Sequence, residues 1–174
     1  MNKSSLDVFI KEISDIWGPL SSELVLKSKE LIQKLISESE GEEWLLKILE
    51  ESREIKTLYK DPKHGFLLLA QFEGQGLYRV PHNHGSGWVI YGVHSGEMEM
   101  GSFTQIVRPN GDLDLIKKES YSISSGSCKA YLPGDIHDTR CISAKTLMFR
   151  LTSTDFKEEF KSGRMIKYIN YEEK

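Results

Sequence analysis

The apolar positions change period once along the chain, near residue 56, and that change divides the expected fold. Before it, Leu6, Phe9, Ile10, Ile13, Ile16 and Trp17 recur at helical spacing. Gly18-Pro19 stops this first helix. Ser21 or Ser22 caps a second, with Leu24, Leu31, Ile32, Leu35 and Ile36 on its buried face, and Gly41 ends it. Residues 42–53 read as a third helix, striped by Trp44, Leu45, Ile48 and Leu49. Beyond residue 56 the runs shorten to strand length: 66–72, 77–84, 88–93, 97–107, 113–118, 121–125, 129–132, 137–142 and 146–152. Turn signals separate them, among them the segment 60–65, Glu73-Gly74-Gln75-Gly76 and the hairpin pair Asn110-Gly111. Short strands at close spacing, with no internal repeat, predict a sandwich or barrel. Residues 156–174 read as a charged tail, part helix and part strand against the barrel.

This pattern predicts one structural domain in two parts: a helical segment, 1–55, packed on a β-barrel, 56–174. Each helix carries a single apolar stripe, which needs a partner surface. At 174 residues one core suffices. The formal charge of −3 and the lack of a basic stripe argue against nucleic acid. Two cysteines, Cys128 and Cys141, make no disulfide framework, so a reducing cytoplasmic location is expected. The first residues lack the apolar core of a signal peptide, and no run is long enough to cross a bilayer, so no membrane partner is expected.

The candidate chemistry sits in Pro81-His82-Asn83-His84-Gly85-Ser86-Gly87. In an extended strand, residues two apart share a face, so His82 and His84 can hold one metal ion if a third ligand arrives. Tyr131-Leu132-Pro133-Gly134-Asp135-Ile136-His137 supplies it, with a Pro-Gly turn delivering His137 to a new strand. The same parity places Tyr78 and Val80 on the histidines' face, and Thr139 and Cys141 on that of His137. Glu97 and Glu99 alternate with Met98 and Met100 on the following strand, and one of these pairs faces inward. His64 and His94 fall beside turns and read as solvated. Cys128 reads as packing; Cys141 reads as packing or as a neighbour of the metal.

These segments resemble the cupin superfamily, whose first motif runs G-x5-H-x-H-x3–4-E-x6-G. Gly76, His82, His84 and Gly96 fit it, while Trp88 or Val89 stands where the glutamate ligand would be. In the second motif, G-x5-P-x-G-x2-H-x3-N, Gly126, Gly134 and His137 match, Pro133 is one place late and Cys141 replaces the asparagine. The resemblance covers roughly residues 56–156. It implies a double-stranded β-helix, a jelly-roll barrel, and the missing glutamate is similar to three-histidine cupins such as cysteine and 3-mercaptopropionate dioxygenases. If Val89 stands at the glutamate position, Tyr91 is its same-face neighbour, and Trp88 and Ile90 face away. Alignment with those dioxygenases turns Arg150 and Thr152 inward. Arg150 then meets a substrate carboxylate, pairs with an internal acid such as Glu99, or reaches solvent. The Ser-His-Tyr trio of those enzymes is not evident, and no cysteine lies five after His84 for their Cys–Tyr crosslink. Their carboxylate-binding arginine falls near Lys56.

The expectation is a metal-dependent enzyme, an Fe(II) dioxygenase taking O2 and a small anionic organic substrate of thiol or carboxylate type. His82, His84 and His137 hold the metal; Tyr78, Tyr91 or Arg150 orient substrate or donate a proton. Zn, Ni or Mn also suit these ligands, so a lyase or isomerase independent of oxygen stands as an alternative, as does a non-catalytic small-molecule binder. Exposed barrel strands leave a homodimer open.

Overall fold

A computed structural model of the protein describes residues 3–169 and 171. Three helices come first: α1 (Ser5–Ile16), α2 (Ser22–Glu38) and α3 (Glu43–Glu51). Local chemistry starts the first two. Ser4 and Asp7 form a reciprocal capping box on α1, and the Ser21 hydroxyl accepts from the Leu24 amide on α2. Nine strands follow: β1 (Ile55–Lys60), β2 (Leu67–Gly74), β3 (Tyr78–His82), β4 (Val89–Ser95), β5 (Glu97–Val107), β6 (Leu113–Ser124), β7 (Cys128–Tyr131), β8 (Ile136–Cys141) and β9 (Lys145–Thr152). A short helix, α4 (Phe156–Lys161), closes the described fold.

The strands form two antiparallel sheets, ordered β1-β2-β9-β4-β7 and β3-β8-β5-β6. Apart from the β1–β2 and β5–β6 hairpins, successive strands cross between the sheets, which makes the jelly-roll, double-stranded β-helix of the cupin type. Alternation along β2, β4 and β9 separates two cores. On the outer face Leu68, Ala70, Ile90, Phe149 and Leu151 meet Phe9, Ile13, Ile32, Leu35, Leu45 and Ile48 of the helices. Trp17 joins them, stacked on Phe66 at 4.0 Å and on Trp88 at 5.3 Å. Each such fully buried side chain contributes roughly 1.5–3 kcal/mol. Gly92 is needed for this contact, because a Cβ there would collide with Ile32 and Ile36 of α2. On the inner face Val89, Tyr91, Val93 and Met148 pack against Met98, Met100 and Ile123 of the second sheet.

Four local readings change. Residues 55–60 form a strand, β1, along the edge of β2. Residues 113–124 form one strand because β6 pairs with β5 throughout, with a shift of register between Ser102 and Phe103. β3 ends at His82, so His84 lies in the loop after it. His94 lies in β4, half-buried against the Phe149 ring, and burial lowers its pKa. The tail does return to the barrel: Lys167 bridges to His82, the Tyr168 amide donates to the Pro81 carbonyl, and the Asn83 amide donates to the Ile166 carbonyl. Positions 170 and 172–174 of that tail lie outside the described residues. Among the described residues, no helix is long and apolar enough to cross a membrane.

Candidate metal centre

His82 and His137 are direct cross-strand partners in the β3–β8 ladder, which places both imidazoles inside the barrel. His84 joins them from the loop. That loop is held by Asn83, whose Oδ1 accepts from the Gly85 and Ile166 amides. One ligand nitrogen from each of the three lies within 4.8 Å of the others. The relative exposures are 7% for His82, 1% for His84 and 0% for His137.

The nitrogens are suited to a cation. His82 Nδ1 lies 2.8 Å from the Val80 carbonyl oxygen, so it donates there and leaves Nε2 as a lone pair. His84 Nδ1 and both nitrogens of His137 are buried with no partner among the described residues. Each such orphan costs about 1–3 kcal/mol unless something binds it. Burial, with the positive field of Arg150 among the smaller causes, lowers His82 to about 4 and His84 to about 2, and lowers His137 well below its ordinary value. All three are neutral at pH 7, the state that ligates metal. Two are also clamped by aromatic rings. Tyr131 lies flat on His137 at 3.7 Å, and Phe156 of α4 stacks on His84 at 4.4 Å.

Beside the histidines is a cavity of about 300 Å³ whose walls include Gln71, Glu73, Arg79, Tyr91, Arg150 and Lys167. Tyr91 is buried, its hydroxyl 3.5 Å from His84 Nε2, with the Arg150 guanidinium 5.5 Å from its ring centre. Arg150 stands between Leu69 and Tyr91 in the register of the sheet. Its Nη1 donates to Gln71, its Nε is buried without a partner, and it makes no ion pair among the described residues. The expected partner Glu99 faces away: Ser120 donates to it from β6, while its neighbours Met98 and Met100 fill the interior. Lys56 is likewise remote, bonded to Glu51.

Tyr78 borders the same cavity; its hydroxyl donates to Asp138, and Arg140, its cross-strand partner, lies over its ring. A register shift between Arg79 and His82, an inserted residue, sets Arg79 opposite Thr139 and on the His137 face, while Tyr78 pairs with Arg140. Arg79 Nε donates to Glu73 at 2.7 Å, and Gln71 also donates to Glu73. Gln71, Glu73 and Arg79 were not singled out from the sequence. Two polar residues spaced by two inside the apolar run of β2 are the available signal for the first pair. Nothing local marks Phe156 or Tyr131.

Fold and site together define a cupin-type double-stranded β-helix with a three-histidine group able to hold a metal ion. No family model and no curated protein matches the sequence. Solved structures similar to it include KdgF from Halomonas sp., at 17% identity over 56% of this chain and 74% of that one, with a TM-score of 0.44. The cupin domain of Schizosaccharomyces pombe Cnp3 shares 12% identity over 63% and 66%, with a TM-score of 0.45. The DMSP lyase DddQ from Ruegeria pomeroyi shares 16% identity over 68% of this chain and 53% of that one, with a TM-score of 0.46.

Proposed function

We propose that the protein is a metal-dependent enzyme, an Fe(II) dioxygenase whose substrate is a small organic anion. The observation that carries the anion is Arg150. It lines the cavity beside three neutral histidines, with a glutamine as its hydrogen-bond acceptor and no carboxylate partner among the described residues. A substrate carboxylate supplies the missing charge and takes the free Nε donor. A neutral ligand set favours the same anion, because it leaves the ion's full double charge. Bound there, a divalent metal supplies Lewis acidity and, as iron(II), electrons to oxygen.

The chain's own residues do the rest. Tyr91 presents a hydroxyl at His84, placed to donate a proton to a group held at the centre. Burial keeps that hydroxyl protonated by raising its pKa. Phe156 and Met165 add apolar wall to the cavity. Glu73 holds Arg79 and Gln71, and Gln71 in turn holds Arg150.

A reaction without oxygen is the second reading, favoured by Glu73: its Oε2 is buried and unpartnered at the cavity wall, where it can accept a proton from substrate. Oxygen uptake by iron-loaded protein, over a panel of small thiols and carboxylic acids, separates the two. Uptake that depends on His84 and stops under argon supports the dioxygenase. Turnover that continues under argon with zinc or manganese overturns it.

A further inference from the structure

A second, larger cavity of about 520 Å³ adjoins the metal cavity, lying between the inner face of the β1–β2 edge and α4. Its character differs. Ile55, Leu67, Leu69, Phe156, Phe160 and Met165 form its apolar wall. Arg150, Lys157, Lys161 and Lys167 also line it, with Asp155 the one acid among the described lining residues, and Lys161 pairs with Glu158 at 2.9 Å. Asp155 is already engaged, capping α4 at the Lys157 amide and lying 3.7 Å from Lys60. The two cavities share Arg150, Phe156, Met165 and Lys167 as their common wall. Arg150 thus stands where the apolar groove meets the metal chamber.

We infer that the groove holds the apolar chain of an amphipathic carboxylate whose head group rests on Arg150, facing the metal centre. Its volume falls within the roughly 300–1,000 Å³ range of small-molecule sites. An apolar wall lined also by cations selects a chain that ends in an anion, and a neutral chain would leave Arg150 uncompensated. The substrate class narrows from small anions in general to acids bearing an aliphatic or aromatic tail. The position of the head group rests on the metal-centre reading above; the tail site does not.

The test is calorimetry on zinc-loaded full-length protein with straight-chain alkanoates from acetate to decanoate, and with the alcohols of equal length. Affinity rises about fourfold per added methylene until the groove is full, and each acid binds at least about tenfold tighter than its alcohol. Leu69→Trp, which fills the groove, flattens the rise. Should that variant fold poorly, Phe160→Ser, at a site 56% exposed, lowers the slope without touching the barrel. Arg150→Gln removes the preference for acid over alcohol. Affinity independent of chain length, or a slope that both groove substitutions leave intact, overturns the assignment. Metal stoichiometry and oxygen uptake are read separately. A flat series with normal metal binding and uptake sinks the groove alone; a rising series without metal binding sinks the enzyme reading alone.

Discussion

Tyr131 and His137 lie nearly parallel, ring centres 3.7 Å apart and planes 9° apart. The hydroxyls of Tyr131 and Tyr121 share a hydrogen bond, which fixes the ring from behind. His137 has no hydrogen bond of its own at either nitrogen among the described residues, so stacking does the orienting that a carboxylate or carbonyl commonly does for a ligand histidine. Tyr131→Leu is expected to weaken metal binding about tenfold or more. Tyr131→Phe keeps the ring and stays within about threefold of the parent protein. Zinc competition titrations distinguish them, and equal affinities in both variants would refute the role of the stack.

Metal binding should be unusually insensitive to acid. An ordinary histidine begins to compete with metal near 6.5, but here burial first, with nearby positive charge, lowers His82 to about 4 and His84 to about 2. Protons therefore displace little metal between pH 7 and 5, and affinity falls only as pH drops toward 4. Zinc titrations across that range check it. A tenfold loss per unit already at pH 6 would contradict the burial seen here.

Removing the two partners of the inner ion pair should cost unequal amounts. Glu73 has a fully buried side chain, whereas that of Arg79 is 36% exposed and also reaches Glu54 at 3.5 Å. Arg79→Ala strands a buried carboxylate, at a cost of about 3–5 kcal/mol. Glu73→Ala leaves an arginine that turns to water and Glu54, and should cost about 1–3 kcal/mol. Urea denaturation of both variants and of the double variant tests the order; the double variant should recover part of the Arg79→Ala loss.

Glu159 pins α4 over the site. It accepts from Ser86 and from Arg164, and Arg164 is the main cause that holds its carboxyl down at about 2. Its neighbour Gly85 has φ +62 and no room for a Cβ, since one would collide with the Glu159 carboxylate. The unfolded carboxyl titrates near 4.5, so the stabilisation is complete above that pH and is lost as pH falls toward 2. Amide exchange in 156–168 should therefore accelerate in that window, ahead of the β4 amides. Glu159→Gln should show the faster exchange already at pH 7. If the variant matches the parent there, the carboxylate does not hold the segment.

The helices, most strands and the three histidines could be read from residue types, because helical stripes, Pro-Gly turns and alternation are local properties. Gly18-Pro19 and Ser21 set helix ends within a few residues of where they fall. What lay beyond reach was every feature that depends on pairing between distant strands. The register shift in β3 sets Arg79 opposite Thr139 and brings it to the cavity wall, and no composition rule marks it. Arg150 pairs with Gln71 rather than Glu99 because β9 lies beside β2, while Glu99 points out of the other sheet. The aromatic clamps come from Tyr131, near His137 in sequence but in the opposite sheet, and from Phe156, at the start of α4 and remote in sequence from His84. Residue chemistry alone named the three imidazoles as candidate ligands; their convergence, their dryness and the groove beside them come from the closure of two sheets around them.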